Sequence, residues 1–179
     1  YGLYLFLDGA RLGYGLAAPD NDLTLPEIAA LCDVFYIGGT KVGALFGEAV
    51  VIKNPELAQD FRYLIKQNGG MLAKGRLLGL QFDALFTDGL YQEISAHAIA
   101  MAEKLREAFT AKGYNYLAPN RTNQIFVIVP DAHLAKISEQ FEYSYDQRID
   151  ATHSCVRFCT GWATKEENVD ALIRCVEKL

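Results

Sequence analysis

The sequence lacks the features that mark two large classes of protein. Its longest apolar runs fall far short of the roughly 20 residues that cross a bilayer, and no basic start with a following apolar segment suggests export. Its 17 basic residues are outnumbered by 22 acidic ones, which gives a net charge of -5 and no basic footprint for nucleic acid. We therefore expect a cytoplasmic protein that binds neither membranes nor nucleic acid.

Cysteine is scarce and has no recognisable spacing. The four cysteines form no CxxC pair, and they lie in or beside apolar patterns, which is typical of reduced core thiols. His153, Cys155 and Cys159 lie close together in the sequence, but their spacing fits no familiar zinc arrangement. We expect no metal site.

The composition that remains is that of a globular protein, with 51% hydrophobic and 22% charged residues in a chain of 179. "YLFL" at 4–7 ends at Asp8 and indicates a buried parallel strand. "VFYIGG" from Val34 predicts a second strand. "GEAVVIK" from Gly47 predicts a third that follows too closely for a helical crossover. The third strand should therefore run antiparallel to the second.

Helical patterns follow the three strands, and a mixed region follows the helices. The helical patterns cover 55–67, 71–89 and 91–113, and Gly113 is the expected C-cap of the last. Beyond it, the patterns "YNYLAP", "QIFVIVP" and "CVRFCTGW" predict short strands that alternate with helices. Thr164 with Glu167 predicts a capping box for the final helix. The order indicates an α/β sheet, a helical link and a small α+β unit.

Lys41 is the most informative single residue. It follows a predicted strand within "GGTKVGA", where small neighbours predict open space around its stem. An amine in an apolar pocket tends to lose its proton, and a neutral amine can form a Schiff base with a carbonyl. The alternative interpretation is a lysine that extends from a loop into solvent.

Asp8 supports a functional role for Lys41. Like Lys41, it is expected at the end of a strand, and such ends meet at the sheet edge where α/β proteins bind ligands. Pyridoxal 5'-phosphate requires this pair: a lysine for its aldehyde and a carboxylate for its ring nitrogen. Arg11 could contact the ring hydroxyl or a substrate carboxylate, and its alternative role is a surface ion pair.

Four segments resemble one enzyme family in the same order along the chain. They are "YLFLDGARLGYGL", "FYIGGTKVGALFGEAVVI", "KQNGGMLAKGRLLGLQFDALF" and "VRFCTGWATKEENVDALI". These segments are similar to the threonine aldolase and β-eliminating lyase family, pyridoxal phosphate enzymes of the aspartate aminotransferase fold (fold type I). The resemblance implies an α/β chain that is the C-terminal part of such an enzyme. Residues 1–55 would end the large cofactor-binding domain with its mostly parallel sheet, 56–112 would connect, and 113–179 would form a small α+β domain.

The resemblance also implies a role for each matching residue. Lys41 matches the catalytic lysine that holds the cofactor, and Asp8 matches the aspartate that pairs with the pyridine nitrogen. Arg11 matches the arginine beside the ring hydroxyl and the substrate carboxylate. Arg157 matches the arginine that binds the substrate carboxylate, a task suited to a planar guanidinium. Strand alternation alone would make Arg157 an edge-strand charge.

The implied function is carbon–carbon bond cleavage in a β-hydroxy amino acid such as threonine, which yields glycine and an aldehyde. The family implies a homodimer or homotetramer, and its members carry a phosphate-binding loop and a ring-stacking histidine upstream of the aspartate strand. The sequence begins after both, so we expect a fragment that is inactive without the N-terminal portion of the same protein. The alternatives are another fold-type-I enzyme, such as an aminotransferase or a β-eliminating lyase, and a non-catalytic assembly module.

Overall fold

The computed structural model describes all residues from 1 to 179, and the chain divides into two compact units. The first unit comprises residues 1–16 and 21–94, and the second comprises 17–20 and 95–179. Each unit contains its own β-sheet. The division at residues 55 and 112 that the resemblance implies stays a prediction.

The first unit contains a three-stranded sheet. Its strands are β1 (Phe6–Leu7), β2 (Val34–Gly38) and β3 (Glu48–Ile52), in the order β1-β2-β3. β1 pairs in parallel with β2, and β3 pairs antiparallel with β2, as the short connection predicted. β1 is shorter than predicted, and Tyr4, Leu5 and Phe6 are 59%, 53% and 60% exposed, so the prediction of a buried strand at 4–7 is wrong.

Helices occupy most of the rest of the first unit. They are α1 (Leu12–Ala17), α2 (Leu25–Leu31), α3 (Pro55–Ala58), α4 (Phe61–Gln67) and α5 (Arg76–Phe86). The predicted helix over 55–67 is split because Asp60 adopts a left-handed φ of 54°, which interrupts the helical path. A 3₁₀ turn, Thr87–Gly89, leads into α6 (Leu90–Ala111), which begins in the first unit and continues in the second.

The second unit contains a four-stranded antiparallel sheet. Its elements are β4 (Asn115–Tyr116), β5 (Gln124–Pro130), α7 (Asp131–Ile137), β6 (Ser144–Arg148), β7 (His153–Cys159) and α8 (Glu166–Glu177). The strand order is β4-β5-β7-β6. β6 has no counterpart among the predicted strands, because all five of its residues are exposed and carry no apolar alternation.

The core of the second unit lies between this sheet and its helices. Alternate residues of β5 are buried, and Phe109 of α6 and Val176 of α8 belong to the same buried cluster. α6 ends as predicted, since Gly113 has a φ of 81° and the Tyr114 N–H donates to the Phe109 carbonyl oxygen at 3.1 Å. α6 has 22 residues, yet neither it nor any other helix has the length and apolarity needed to cross a membrane.

The predicted capping box at the start of α8 is wrong. The N-cap residue is Lys165, with no side-chain cap. The Thr164 hydroxyl instead accepts a hydrogen bond from the Gly161 N–H at 2.8 Å, so the preceding turn uses the group that the box would need. Thr24 and Glu27 form such a box at the start of α2.

Candidate active site

Two glycines allow the segments that follow β1 and end β2 to approach closely. The Gly38 N–H donates to the Gly9 carbonyl oxygen at 2.9 Å. A Cβ atom on Gly9 would collide with the Tyr36 carbonyl oxygen, and one on Gly38 would collide with the Ala10 carbonyl group. Glycine is therefore required at both positions, and their contact fixes Asp8 beside β2.

The Asp8 carboxylate is bonded through one oxygen. Its Oδ1 accepts hydrogen bonds from the Tyr36 hydroxyl and from the Ala10 N–H at 3.1 Å. The Tyr36 hydroxyl, and after it the Ala10 N–H, hold the pKa of Asp8 below its ordinary value, and the charges of Lys41 and Arg11 act in the same direction. Asp8 is thus ionised at neutral pH, and three charged side chains share one edge of the sheet.

Lys41 lies in the loop after β2, and the backbone of this loop is well bonded. The buried Tyr14 donates its hydroxyl to the Lys41 carbonyl oxygen. The Val42 and Ala44 N–H groups both donate to the Gly39 carbonyl oxygen, at 2.9 and 3.0 Å. The structure therefore fixes the main chain on both sides of the lysine.

Lys41 is exposed, so the interpretation of its side chain as an amine in an apolar pocket is wrong. The glycines before it do not leave open space either. A Cβ atom on Gly39 would lie 2.7 Å from the Phe82 ring, which means that neighbouring atoms fill the space. The small residues allow the loop to pack closely, and they do not leave open space around the amine.

Glu48, at the start of β3, bonds the two residues that precede Lys41. Its Oε2 accepts from the Gly39 N–H at 2.5 Å, and its Oε1 accepts from the Thr40 hydroxyl at 2.8 Å. A single carboxylate thus connects β3 to the loop that carries the lysine. Charge-assisted hydrogen bonds of this kind are stronger than neutral ones.

Tyr91 connects α6 to both glycine-containing segments of the first unit. Its hydroxyl donates to the Gly38 carbonyl oxygen at 2.9 Å and accepts from the Gly13 N–H at 3.1 Å. Burial raises the pKa of Tyr91 to about 12, so the phenol keeps its proton. The buried hydroxyl therefore acts as a fixed bridge rather than as an acid.

The sequence interpretation missed Tyr36, Glu48 and Tyr91. The position of Tyr36 beside Asp8 follows from the strand register, in which Leu7 pairs with Phe35, and the sequence does not specify this register. No local pattern distinguishes Glu48 or Tyr91 from other polar residues that lie near strand or helix ends.

Arg11 and Arg157 lie in different units. Arg11 is half-buried and precedes α1 by one residue, three residues after Asp8. Arg157 is on β7, which lies between β5 and β6, so it is not an edge-strand charge.

The Arg157 guanidinium has an unused hydrogen-bond donor. Its Nη1 donates to Gln124 Oε1 at 3.3 Å, and its Cζ lies 5.9 Å from the centre of the Phe126 ring. Its Nε is buried without a hydrogen-bond partner, an arrangement that is costly. Arg157 also borders a cavity of about 350 Å³ in the second unit. This arrangement could bind an anion such as a carboxylate.

The three histidines bond to groups of the protein itself. His97 Nε2 lies 2.7 Å from the Thr164 carbonyl oxygen, and His133 Nδ1 lies 2.6 Å from the Tyr114 hydroxyl. His153 is paired with Asp150. All four cysteines are free, and no group of side chains in the chain has the arrangement of a metal site.

The architecture is that of the pyridoxal phosphate-dependent enzymes of fold type I. The chain is similar to an S. paucimobilis serine palmitoyltransferase with a bound PLP–myriocin aldimine, with a TM-score of 0.64 over 99% of this chain and 47% of that one. The two sequences are 12% identical, so this likeness concerns the fold alone. No protein-family model matches the chain.

Closer relatives are threonine aldolases. The chain is 31% identical over 175 residues to a low-specificity L-threonine aldolase of a Pseudomonas strain, a match that covers 96% of this chain and 49% of the relative. The structure of a Leishmania major threonine aldolase is 42% identical, with a TM-score of 0.96 over 99% of this chain and 52% of that one. The chain is thus homologous to the threonine aldolases, which confirms the resemblance, and it spans about half the length of these relatives.

Proposed function

We propose that the full-length protein is a pyridoxal phosphate-dependent lyase that cleaves a β-hydroxy amino acid such as threonine to glycine and an aldehyde. The observation that carries this proposal is the meeting of Asp8, Arg11 and Lys41 at one sheet edge in a homologue of threonine aldolases. We assign the activity to the full-length protein because the chain spans about half the length of its relatives.

The side chains at this edge fit the cofactor chemically. When bound, pyridoxal phosphate supplies an aldehyde for an amino group and a ring that accepts electrons from a breaking bond. Lys41 offers an exposed amine on a bonded loop, and Asp8 offers a carboxylate that is ionised at neutral pH. A lasting negative charge on Asp8 would keep a proton on the pyridine nitrogen, and Arg11 would bind the ring hydroxyl.

Arg157 is the residue that we propose for the substrate carboxylate, with Arg11 as a second contact. Arg157 borders the cavity of the second unit, and the guanidinium donors other than the one bonded to Gln124 suit hydrogen bonds to a carboxylate. Bonds to Gln124 and the Phe126 ring restrict the motion of the guanidinium. Arg157 would therefore orient the amino acid, and the bond to be broken, without taking part in proton transfer.

We further propose a homo-oligomer that works in the cytoplasm. The first unit exposes large apolar side chains, including Leu45 at 86% and Phe46 at 45%, and exposed apolar groups of this kind often belong to interfaces. The four free cysteines are typical of a reducing compartment.

Product analysis tests the function. The full-length protein with pyridoxal phosphate should convert threonine to equal amounts of glycine and acetaldehyde, and Lys41→Ala should lose this activity by about 10³-fold because it removes the amine that would form the Schiff base with the cofactor. Transfer of the amino group to a keto acid would instead identify an aminotransferase. Absence of any Lys41-dependent reaction would favour an assembly module.

A further inference from the structure

The hydrogen bond between Tyr36 and Asp8 suggests that a residue behind the candidate site positions one of its side chains. We propose that Tyr36 is a positioning residue: it holds one oxygen of the Asp8 carboxylate so that the other oxygen remains for the pyridine nitrogen of the cofactor. This inference rests on the proposed function. Nothing in the sequence patterns assigned a role to Tyr36.

The geometry separates the two oxygens of Asp8. Both hydrogen bonds, from the Tyr36 hydroxyl and the Ala10 N–H, end on Oδ1, and Oδ2 accepts none. Two fixed donors on one oxygen restrict rotation of the carboxylate. Because the donors leave Oδ2 unpaired, that oxygen is the one that can accept from a bound ring.

Tyr36 is itself fixed at three points. It pairs with Val50 in β2–β3, its carbonyl oxygen lies against Gly9, and its ring centre is 6.1 Å from that of Phe6. The phenol that reaches Asp8 therefore extends from a paired strand and not from a mobile loop. Rigid support of this kind is what precise positioning of a catalytic group requires.

The charges around Tyr36 and Asp8 keep Tyr36 as the donor and Asp8 as the acceptor of their hydrogen bond. Asp8 faces the positive charges of Lys41 and Arg11, whereas Tyr36 faces the carboxylates of Asp8 and Glu48. The bond to Asp8, and after it burial, raises the pKa of Tyr36 to about 12. The hydroxyl therefore donates to an ionised Asp8 across the whole neutral range.

Tyr36→Phe in the full-length protein tests the proposal, because it removes the donor and keeps the ring. In the cofactor-free protein, NMR titration of the Asp8 carboxyl carbon should show a higher pKa than in the unmodified protein. The Kd for pyridoxal phosphate should rise about three- to tenfold, as expected for the loss of one charge-assisted hydrogen bond at an exposed site. Tyr4→Phe is the matched control, because Tyr4 also donates to a carboxylate, Glu56 Oε2 at 3.4 Å, away from Asp8.

A second variant covers the case in which Tyr36→Phe does not fold. In Asp8→Asn, the phenol of Tyr36 should titrate at a lower pH, closer to an ordinary tyrosine, which NMR of ¹³Cζ-labelled tyrosine measures without cofactor, with the Tyr36 signal assigned by its loss in Tyr36→Phe. The proposal is overturned by an unchanged pKa of Asp8 in Tyr36→Phe, by an unchanged pKa of Tyr36 in Asp8→Asn, or by an unchanged Kd for pyridoxal phosphate in Tyr36→Phe. Each of these outcomes leaves the proposed function intact. If the unmodified protein does not bind pyridoxal phosphate at all, the proposed function fails and the inference fails with it.

Discussion

The two units differ in where their apolar side chains lie. In the second unit, β5 and β7 pack a continuous cluster against the helices, and Phe109, Val127 and Val156 are all fully buried. In the first unit, Phe6 and Leu45 are 60% and 86% exposed, and the sheet has three strands, one of which has two residues. The second unit therefore has the stronger core of the two.

The candidate site residues, in contrast, lie mainly in the unit with the weaker core. Asp8, Arg11 and Lys41 lie in the first unit, in loops and at strand ends whose positions depend on hydrogen bonds and close backbone contacts. In the second unit, Arg157, which we propose for the substrate carboxylate, lies on a strand of the well-packed sheet. Substitutions in the buried core of the second unit should thus lower stability, whereas substitutions of the candidate site residues should change binding or chemistry.

The largest effect on stability is expected for Phe109→Ala. Phe109 is fully buried and contacts the rings of Phe158 and Tyr114, so truncation should lower the free energy of unfolding by about 3–5 kcal/mol. Denaturant unfolding monitored by circular dichroism measures the change. Tyr145→Ala, at a 61% exposed position of β6, is the control and should cost less than about 1 kcal/mol. Similar losses in both variants would contradict the described core.

Substitution of Arg157 tests whether a residue of the second unit binds the substrate. Arg157→Lys keeps the charge but loses the planar pair of donors, so KM for the amino acid should rise about 10- to 100-fold with a smaller change in kcat. Steady-state kinetics of the full-length protein measure both constants. Arg174→Lys, on the exposed face of α8, should change neither. An unchanged KM in Arg157→Lys would remove Arg157 from the proposed substrate site.

A smaller effect is expected for Glu48→Gln. The amide side chain retains one acceptor oxygen and loses the charge that strengthens the bonds to Gly39 and Thr40. Hydrogen exchange at the Gly39 amide should accelerate about fivefold, whereas the exposed Glu107→Gln on α6 should leave it unchanged. Equal exchange in both variants would mean that Glu48 does not hold the lysine loop.

The smallest effect concerns a carboxylate of the second unit that resembles Asp8 in its bonding. Hydrogen bonds from the Thr152 N–H first, and then from His153, lower the pKa of Asp150 to about 2. A lowered folded-state pKa stabilises the fold above the unfolded value of about 3.9. This stabilisation is lost as the pH falls from about 4 to about 2.

Acid unfolding of Asp150→Asn measures this contribution. The variant should lose less stability than the unmodified protein between pH 4 and pH 2, since its side chain does not titrate. Asp150 is exposed in the turn between β6 and β7, so catalysis should be unchanged. Parallel acid-unfolding curves in the two proteins would contradict the lowered pKa.

The sequence predicted the elements that depend on local signals. The short connection to β3 predicted an antiparallel pair, and Gly113 predicted the end of α6, because both depend on residues close in the sequence. β6 was missed because its five exposed residues carry no apolar pattern. Thr164 was misassigned because its hydroxyl bonds to Gly161 rather than to the following helix.

The site was predicted less completely than the fold. Asp8 and Lys41 follow strands and could be predicted to converge, but the exposure of Lys41 depends on packing that no local pattern reveals. Tyr36 and Glu48 act through hydrogen bonds to residues 28 and 9 positions away. Such bonds require the register of paired strands, which a single sequence does not specify.

The central claim is that Lys41 is the amine that holds the cofactor. Its most direct test is borohydride reduction of the full-length protein with pyridoxal phosphate, followed by mass spectrometry of its peptides. The account predicts one stoichiometric pyridoxyl group on Lys41 in the unmodified protein. It predicts no stoichiometric pyridoxyl group in Lys41→Ala at saturating pyridoxal phosphate without substrate. Stoichiometric labelling of another lysine, or no labelling in the unmodified protein, would contradict it.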